Sequence, residues 1–196
     1  NAATLTVTEK TEPTTYTIST AEQLYEFATK VNAGNNTACA VLTADITLLI
    51  DTNWTPIGND SNQYKGTFDG DGHTITGLSV DIQSDNTIYA GLFGFLGEGG
   101  TIKNLSLADS KITCSGNRVY AGGVCGANAG GTIQNCYNTG DVSGEGTQYV
   151  FVGGVCGTNE NSATIINCYN TRDVSGTSSY GYVYAGGVCG ANGNSA

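Results

Sequence analysis

Short apolar segments bounded by glycine recur along the second half of the chain at a nearly constant interval. They read Gly-Leu-Phe-Gly from residue 91 and Gly-Val-Cys-Gly from residues 123, 154 and 187. The steps between their first glycines are 32, 31 and 33 residues. A fixed period of this size predicts a solenoid, in which each repeat buries its apolar face only against its neighbours.

Each repeat also contains about three segments of strand length separated by glycine, and no repeat shows the apolar period of a helix. A second phrase, Thr-Ile-X-Asn followed by Leu or Cys, keeps the same interval at 101–105, 132–136 and 164–168. The pattern predicts an all-β fold, a right-handed parallel β-helix whose coils stack ~4.8 Å apart. A β-propeller is the alternative, although its blades need four antiparallel strands and a repeat of ~40 residues or more.

One short helix is expected ahead of the repeats, over residues 20–33. Ser19 or Thr20 can cap its first turn, with Glu or Gln three residues later as in a capping box. Gly34 follows as a stop signal. The narrow apolar stripe of this helix consists of Leu24, Phe27 and Val31. Because the end of a solenoid exposes an open core and an unpaired strand edge, we expect the helix to cap it.

The sequence divides into an N-terminal cap at 1–50 and repeats at 51–196, which we expect to be continuous. Apolar positions in the cap predict short strands on both sides of the helix. These positions are Leu5, Val7, Tyr16, Ile18, Val41, Leu42, Ile46, Leu48 and Ile50. The sequence stops in mid-repeat, because no Thr-Ile-X-Asn phrase follows the last Gly-Val-Cys-Gly. Either the native protein continues or a partner covers this open coil, for example by end-to-end association. The first ten residues lack the basic head and apolar run of a signal peptide, so we interpret the chain as a mature or trimmed piece.

An asparagine occupies the same position in three repeats, as Asn104, Asn135 and Asn167, and Gly77 stands there in an earlier, degenerate repeat. Glycine and asparagine both tolerate the left-handed αL conformation. We therefore expect a tight bend at this position in each coil. Stacked on one another, the three asparagines can also share side-chain hydrogen bonds from coil to coil.

Five of the seven cysteines also keep repeat positions. Cys125, Cys156 and Cys189 share one position with Phe93, and Cys136 and Cys168 share another with Leu105. A position that accepts Phe or Leu in one repeat and Cys in the next is a packing position. No Cys-X-X-Cys spacing occurs, and an odd number cannot pair fully within one chain. We expect buried free thiols, with disulfides or a metal site as the alternative.

The charge of the chain limits its partners. Seven Lys and Arg stand against 17 Asp and Glu, which gives a formal net charge of −10. Such a chain lacks the basic clusters that bind phosphate backbones or anionic lipid, and it has no apolar run long enough to span a membrane. We therefore expect neither nucleic-acid binding nor membrane insertion. With so few charges, the surface consists largely of Thr, Ser, Asn and Gly, which is typical of secreted β-proteins.

Two aspartates form the first candidate site. Asp69 and Asp71 flank a glycine and offer ligands for calcium or a carboxylate pair like that of glycosidases. The same spacing is typical of a solvated tight turn. The only histidine, His73, follows them and is expected to be a corner residue rather than a base.

Tyr137 and Tyr169 form the second candidate site. Each follows a packing cysteine, so the alternation of a strand points it outward. An exposed column of aromatic rings offers a surface on which sugar rings or a protein partner can stack. Tyrosine is also common on half-exposed strands for no functional reason, and the sequence leaves both interpretations open.

The repeat resembles the GLUG repeat. The resemblance rests on Ala-Gly-Gly-Val-Cys-Gly at 121–126 and on Gly-Thr-Ile-Gln-Asn-Cys-Tyr-Asn-Thr-Gly-Asp-Val-Ser-Gly at 131–144. It extends over residues 16–196, because the helix and the segments 54–58 and 68–75 are similar to the run-in to such repeats. GLUG repeats occur in bacterial surface proteins, in adhesins of gut bacteria and in the N-terminal regions of secreted peptidases that cleave immunoglobulin A.

The resemblance implies a secreted or cell-surface bacterial repeat scaffold, and we expect an adhesin for a host or glycan ligand rather than an enzyme. In the peptidases a separate domain carries the zinc, and this chain has no His-Glu-X-X-His motif. No cofactor is expected, calcium aside. Two alternatives remain open: a glycan-active β-helix lyase or hydrolase, and a passive stalk for another domain.

Overall fold

The computed structural model describes residues 13–49 and 52–193. Apart from one helix, their regular structure is β-strand. The elements in chain order are β1 (Thr15–Ile18), α1 (Ala21–Asn32), β2 (Cys39–Leu42), β3 (Ile46–Thr47), β4 (Thr67–Asp69), β5 (Thr74–Thr76), β6 (Ser79–Gln83), β7 (Thr87–Ala90), β8 (Phe93–Leu96), β9 (Thr101–Gly122), β10 (Cys125–Ala129), β11 (Thr132–Gly153), β12 (Cys156–Glu160), β13 (Thr164–Ile166), β14 (Tyr169–Asn170), β15 (Val174–Ser178), β16 (Val183–Gly186) and β17 (Cys189–Asn192). The expected strand positions Leu5, Val7 and Ile50 lie outside the described residues, as does the end of the chain at 194–196.

The strands stack in parallel, one coil on the next. Over almost its whole length β11 lies beside β9, from Thr132 opposite Thr101 to Gly153 opposite Gly122. The strands β8, β10, β12 and β17 form a second sheet, in which neighbours are one repeat apart. All strand pairs among the described residues are parallel. The fold is therefore a parallel β-helix, as the repeat length predicted, and the antiparallel blades of a propeller are excluded.

The helix α1 lies one residue inside its predicted limits at each end, at Ala21–Asn32. The Thr20 side chain accepts a hydrogen bond from the Gln23 amide at 3.3 Å, and the Gln23 side chain accepts one from the Ser19 amide at 2.7 Å. The first bond satisfies a backbone donor that the first turn of a helix leaves free, and the second ties the residue before the cap to that turn. Among the described residues, no helix has the length and apolar character needed to cross a membrane.

Helix α1 packs onto the aromatic core of the first coils. Its buried Phe27 meets Tyr64 and Phe68 at ring-centroid distances of 6.1 and 6.0 Å. The buried Trp54 donates its indole N–H to the Leu92 carbonyl in the next coil at 3.0 Å. A single cluster of buried side chains includes those of the helix and those of the coils, so the helix is continuous with the solenoid core.

The outer corner of three coils is formed by Asn104, Asn135 and Asn167. Their φ values are 53°, 52° and 52°, in the left-handed region that asparagine tolerates better than most residues. Asn135 donates its side-chain amide to Asn104 at 3.0 Å, and Asn167 donates to Asn135 at 3.3 Å. The column continues to Asp69, whose carboxylate accepts from Asn104 at 3.0 Å. Each corner is thus tied to the coil before it. Gly77 does not occupy this position, contrary to the sequence alignment, because Asp69 pairs with Lys103 and the Gly77 amide bonds the Ala108 carbonyl further along the coil.

Two further columns of asparagine side chains, which the sequence pattern did not indicate, have buried members at Asn128, Asn138 and Asn159 and end at half-buried Asn170 and exposed Asn192. In one, Asn128 donates to Asn159 at 2.9 Å and Asn159 donates to Asn192 at 2.8 Å. In the other, Asn138 donates to Asn170 at 2.9 Å. The amides also bond backbone groups at their own corners, at distances between 2.6 and 3.2 Å. These columns satisfy polar groups that tight turns would otherwise leave buried and unpaired.

The cysteines at the repeat positions form two stacks. Cys125 and Cys156 are fully buried, whereas Cys189 is only half-buried. In the second stack Cys136 is buried and Cys168 is half-buried. All seven cysteines lie among the described residues and are free thiols. The burial expected for Cys189 is not reached, because among the described residues only one neighbouring coil covers it.

Candidate functional site

The two predicted tyrosines lie next to each other on the outer surface. Tyr137 of β11 is opposite Tyr169 of β14, and the rings stack with centroids 4.3 Å apart and planes at 26°. Tyr169 is 48% exposed, and Tyr137 is half-buried beside it. On its other side, Tyr137 lies opposite Ser106. The column described here therefore contains two rings.

A longer column, which the sequence pattern did not reveal, lies on another part of the coil. This aromatic ladder consists of Tyr89, Tyr120, Phe151 and Tyr184. Adjacent rings have centroids 5.1, 5.0 and 5.1 Å apart and interplanar angles of 17°, 11° and 5°. A signal is present, since an aromatic residue stands three positions before each Gly-Val-Cys-Gly. Tyr89, the first ring, stands two positions rather than three before Gly-Leu-Phe-Gly, so the regular spacing does not reveal it.

Two exposed tyrosines extend the ladder sideways. Tyr149 stacks on Tyr182 with centroids 6.1 Å apart, and its ring lies 6.4 Å from that of Phe151. The Arg118 guanidinium lies over Tyr149, 5.5 Å from the ring centroid, as in a cation–π contact. Arg118 also donates to the Gln148 side chain at 3.2 Å, which fixes its position. The ladder together with Tyr149 and Tyr182 forms the aromatic face of the solenoid.

The stacking decides which parts of the rings a ligand can reach. At a spacing of about 5 Å the inner rings cover each other's faces, so edges and hydroxyl groups point to solvent. Partial burial is the largest of the effects that raise the pKa of Tyr89 and Tyr120. Both phenols are therefore protonated near neutral pH and can donate hydrogen bonds. The ladder offers a line of ring edges and hydroxyl groups, and an open ring face only at an end.

The two candidate calcium ligands lie in a tight turn. The Asp71 amide donates to the Asp69 carboxylate at 2.9 Å, and Asp71 has a φ of 49°. Lys103 Nζ lies 3.0 Å from the other carboxylate oxygen of Asp69. Burial opposes the charged form of Asp69, but the Asp71, Lys103 and Asn104 donors outweigh it and lower the pKa of this carboxyl. Protein donors thus already satisfy Asp69.

No group of three or more His, Cys, Asp or Glu side chains that could hold a metal ion occurs in residues 13–49 and 52–193. The only histidine, His73, lies with its Nδ1 3.2 Å from Asp45 Oδ1. The same oxygen accepts from the Thr74 amide at 2.9 Å, and these contacts lower the pKa of Asp45, the Thr74 amide most strongly. The histidine therefore ties one coil corner to the next.

The sequence profile of the GLUG motif matches residues 117–143 and 152–175. The first segment runs from the end of β9 into β11, and the second runs from the end of β11 into β15. Because β11 lies beside β9, and β15 beside β11, the two matches occupy successive coils.

Two curated relatives match about half of this chain. A protein of Evansella cellulosilytica, provisionally named Gly-rich membrane protein, is 35% identical over 111 residues, which are 55% of this chain and 12% of that protein. Halomucin of Haloquadratum walsbyi is 32% identical over 107 residues, which are 50% of this chain and 1% of Halomucin. The chain thus spans a small part of the length of both relatives.

A solved structure has the same fold. It is a crystal structure of a protein from Bacteroides ovatus, provisionally described as an immunoglobulin A1 protease, and it matches with a TM-score of 0.60 at 21% identity. The match covers 93% of this chain and 62% of that one. At this identity the likeness concerns the fold. The motif matches confirm the resemblance seen in the sequence: residues 117–143 and 152–175 are GLUG repeats, and they form successive coils of a parallel β-helix.

Proposed function

We propose that this chain is a non-enzymatic repeat scaffold of a secreted or cell-surface bacterial protein, and that its outward aromatic columns bind a host or glycan ligand. One observation carries the proposal: outward rings recur from coil to coil, in the aromatic face and in the Tyr137–Tyr169 pair. Recurrence places similar groups at steps of ~5 Å along a rigid support. A long ligand can then make the same weak contact several times, which raises its overall affinity.

The relatives support a place outside the cell. One is named as a membrane protein, and this chain matches a short stretch of both, as a repeat module within a longer protein would. The net charge of −10 and the 29 glycines agree with a hydrated surface built from small polar side chains. These features favour a scaffold displayed on a surface over a protein that binds nucleic acid.

A glycan-active β-helix enzyme is the first rival. Hydrolysis of a glycosidic bond by two carboxyl groups requires them to flank that bond, ~5–9.5 Å apart. Asp69 is instead engaged by Lys103 and Asn104, and His73 by Asp45. These engagements favour a binding role over catalysis. The second rival is a passive stalk for another domain. It would have the same repeat structure as the proposed scaffold but no ligand.

Binding assays with the purified chain on glycan arrays and on immobilised matrix proteins test the proposal. We expect binding that falls in the variant Tyr137→Ala with Tyr169→Ala, or in Tyr149→Ala with Tyr182→Ala, because each pair removes exposed rings. Circular dichroism then verifies that the strand content is unchanged. Binding by the unaltered chain that neither pair weakens would contradict an aromatic binding surface.

A matched control lies on another part of the coil. Thr101 and Thr132 are neighbours in the sheet and partly exposed, so Thr101→Ala with Thr132→Ala removes a similar pair of side chains away from the rings. We expect no change in binding. Polysaccharide panels with and without calcium test the enzyme alternative, and turnover that Asp71→Asn abolishes would replace the scaffold proposal.

A further inference from the structure

One coil of the solenoid is much shorter than the next, and the difference creates a step. The Trp54 amide donates to the Ser79 carbonyl at 2.8 Å, and Ile57 pairs with Phe93. Between these two points the earlier coil has two residues, whereas the later coil uses 80–92. The later coil therefore projects beyond the earlier one, and β7 lies in the projecting part.

A cleft of about 590 Å³ lies at this step. Both coils form its walls: Pro56 and Asp60 come from the earlier coil, and Ile82, Asn86 and Tyr89 come from the later one. The proline, the isoleucine and the tyrosine ring supply apolar surface, and the aspartate and the asparagine supply polar groups. Apolar walls with a few polar groups are typical of a small-molecule site.

Tyr89 is the end ring of the aromatic ladder and borders the cleft. Tyr120, in the following coil, stacks on one face of it. Phe95 belongs to the same coil as Tyr89 and makes an edge-to-face contact with it, at 61° and with centroids 5.0 Å apart. The residues 55–60 that line the cleft belong to the preceding coil. The cleft therefore lies on the side of Tyr89 opposite Tyr120, where the next ring of the ladder would be.

We propose that this cleft binds a neutral pyranose unit of a glycan, stacked by its apolar face on Tyr89. The inference rests on the proposed function, for which it names a ligand class and a site. A pyranose combines a flat C–H face, which one phenol ring can cover, with hydroxyl groups around its rim. The Tyr89 ring can stack on the C–H face of the sugar. The exposed Asp60 and Asn86, which also line the cleft, can hydrogen-bond its hydroxyl groups.

The charge at the cleft further limits the class of sugar that can bind. Burial and, next, the negative charge of Asp60 raise the pKa of Tyr89; Tyr120 and Glu160 act in the same direction and Arg118 opposes them. Asp60 and Tyr89 both line the cleft. The Asp60 carboxylate repels an anionic sugar. We therefore expect neutral hexoses or N-acetylhexosamines to bind better than uronates.

An aromatic side chain of another protein would extend the ladder in the same place, but it fits the cleft less well. Its edge carries no ring of hydroxyl groups for Asp60 and Asn86. Those polar groups would lose water without gaining a partner, which costs free energy. A sugar replaces the lost water with its own hydroxyl groups.

Calorimetric and NMR titrations test the inference, with neutral oligomers of glucose, galactose, mannose, xylose and N-acetylglucosamine and with oligogalacturonate as the anionic probe. We expect at least one neutral oligomer to bind. Tyr89→Ala should weaken it by ~10-fold or more, whereas Tyr89→Phe should retain binding because the ring remains. Asp60→Asn should weaken the neutral oligomer and reduce the discrimination against oligogalacturonate.

Tyr180→Ala is the matched control, because it removes a 91% exposed ring that lies outside the cleft and outside the aromatic columns, and it should leave these titrations unchanged. Asp60 and Asn86 are exposed, so Asp60→Asn and Asn86→Ala test the site even if Tyr89→Ala fails to fold. Neutral oligomers that bind equally well to all three variants would overturn the inference. Tighter binding of a short tryptophan-containing peptide than of any sugar would overturn it as well.

The failure of this inference and that of the proposed function are distinguishable. If array binding falls in the Tyr137–Tyr169 or Tyr149–Tyr182 double variants but not in Tyr89→Ala, the cleft is not the glycan site and the scaffold still binds through its exposed rings. If the unaltered chain binds neither arrays nor oligomers, both proposals fail and the passive stalk remains.

Discussion

The first coils and the later coils pack their interiors with different side chains. In the first coils the core is aromatic. The largest fully buried side chains of residues 13–49 and 52–193 lie in these coils and in the helix packed on them, and the first five are Trp54, Tyr64, Phe27, Phe68 and Phe93. The planes of their rings meet at angles from 35° between Tyr64 and Phe93 to 82° between Phe27 and Tyr64. These ring contacts do not share one geometry from coil to coil.

In the later coils smaller side chains repeat at the same positions. Cys125 lies opposite Phe93 on one side and Cys156 on the other. Ile133 lies between the equivalent isoleucines of its two neighbouring coils. A repeating coil needs only side chains that pack against copies of themselves, whereas an end coil must fit a helix and therefore needs unique shapes. We therefore expect stability to be concentrated in single residues at the helix end and distributed in the repeats.

The largest expected effect is the loss of one aromatic residue at the helix end. Phe68 is fully buried, and its ring lies 6.0 Å from that of Phe27 and 5.3 Å from that of Phe93. Phe68→Ala should lower the free energy of unfolding by about 3–5 kcal/mol, because a large cavity remains beside rings that cannot close it. Urea denaturation followed by circular dichroism measures the change.

The repeats offer the same truncation to alanine. Ile133 is fully buried in a regular coil, and Ile133→Ala should cost less than Phe68→Ala, within the range of about 2–5 kcal/mol usual for such a change. If Ile133→Ala costs as much as Phe68→Ala, the contrast between the helix end and the repeats is wrong.

The next largest effect concerns the buried amide columns of the repeats. Asn159 bonds Asn128 and Asn192 in adjacent coils and the Ala163 carbonyl in its own. Asn159→Ala should cost about 1–3 kcal/mol, because it leaves buried polar groups unpaired. Asn167→Gly is the control: the position is exposed, glycine keeps its left-handed conformation, and the change should stay within about 0.5 kcal/mol. Equal losses in the two variants would show that burial does not matter to these columns.

The regular coils and the helix could be predicted from the sequence because their signals are local. The capping residues around Thr20 and the glycine intervals each depend on a few neighbouring positions. The left-handed corners at Asn104, Asn135 and Asn167 follow from the conformational tolerance of asparagine alone. The outward direction of Tyr137 and Tyr169 follows from strand alternation.

The remaining features depend on contacts between coils. A polar residue near glycine, such as Asn128, normally indicates an exposed turn, and its burial arises only from pairing with Asn159 one coil away. The aromatic ladder needs the register of four coils, and its first ring is offset in sequence. The cleft depends on the unequal lengths of two coils between Trp54 and Phe93, which no local pattern contains.

The smallest expected effect concerns the reactivity of cysteines within the repeats and leaves stability unchanged. A hydrogen bond from the Cys136 side chain lowers the pKa of half-buried Cys168, whereas burial raises the pKa of Cys114 to about 12. Iodoacetamide labelling of Cys168 in the native protein should rise with pH, with a midpoint below the ordinary cysteine value, and then level off as the thiolate becomes fully populated. Cys114 and the fully buried Cys156 should react only after denaturation. Peptide mass spectrometry resolves the sites. A midpoint near the ordinary cysteine value of ~8.5 would contradict the lowered pKa of Cys168. Native labelling of Cys156 as fast as that of Cys168 would contradict the predicted order of reactivity.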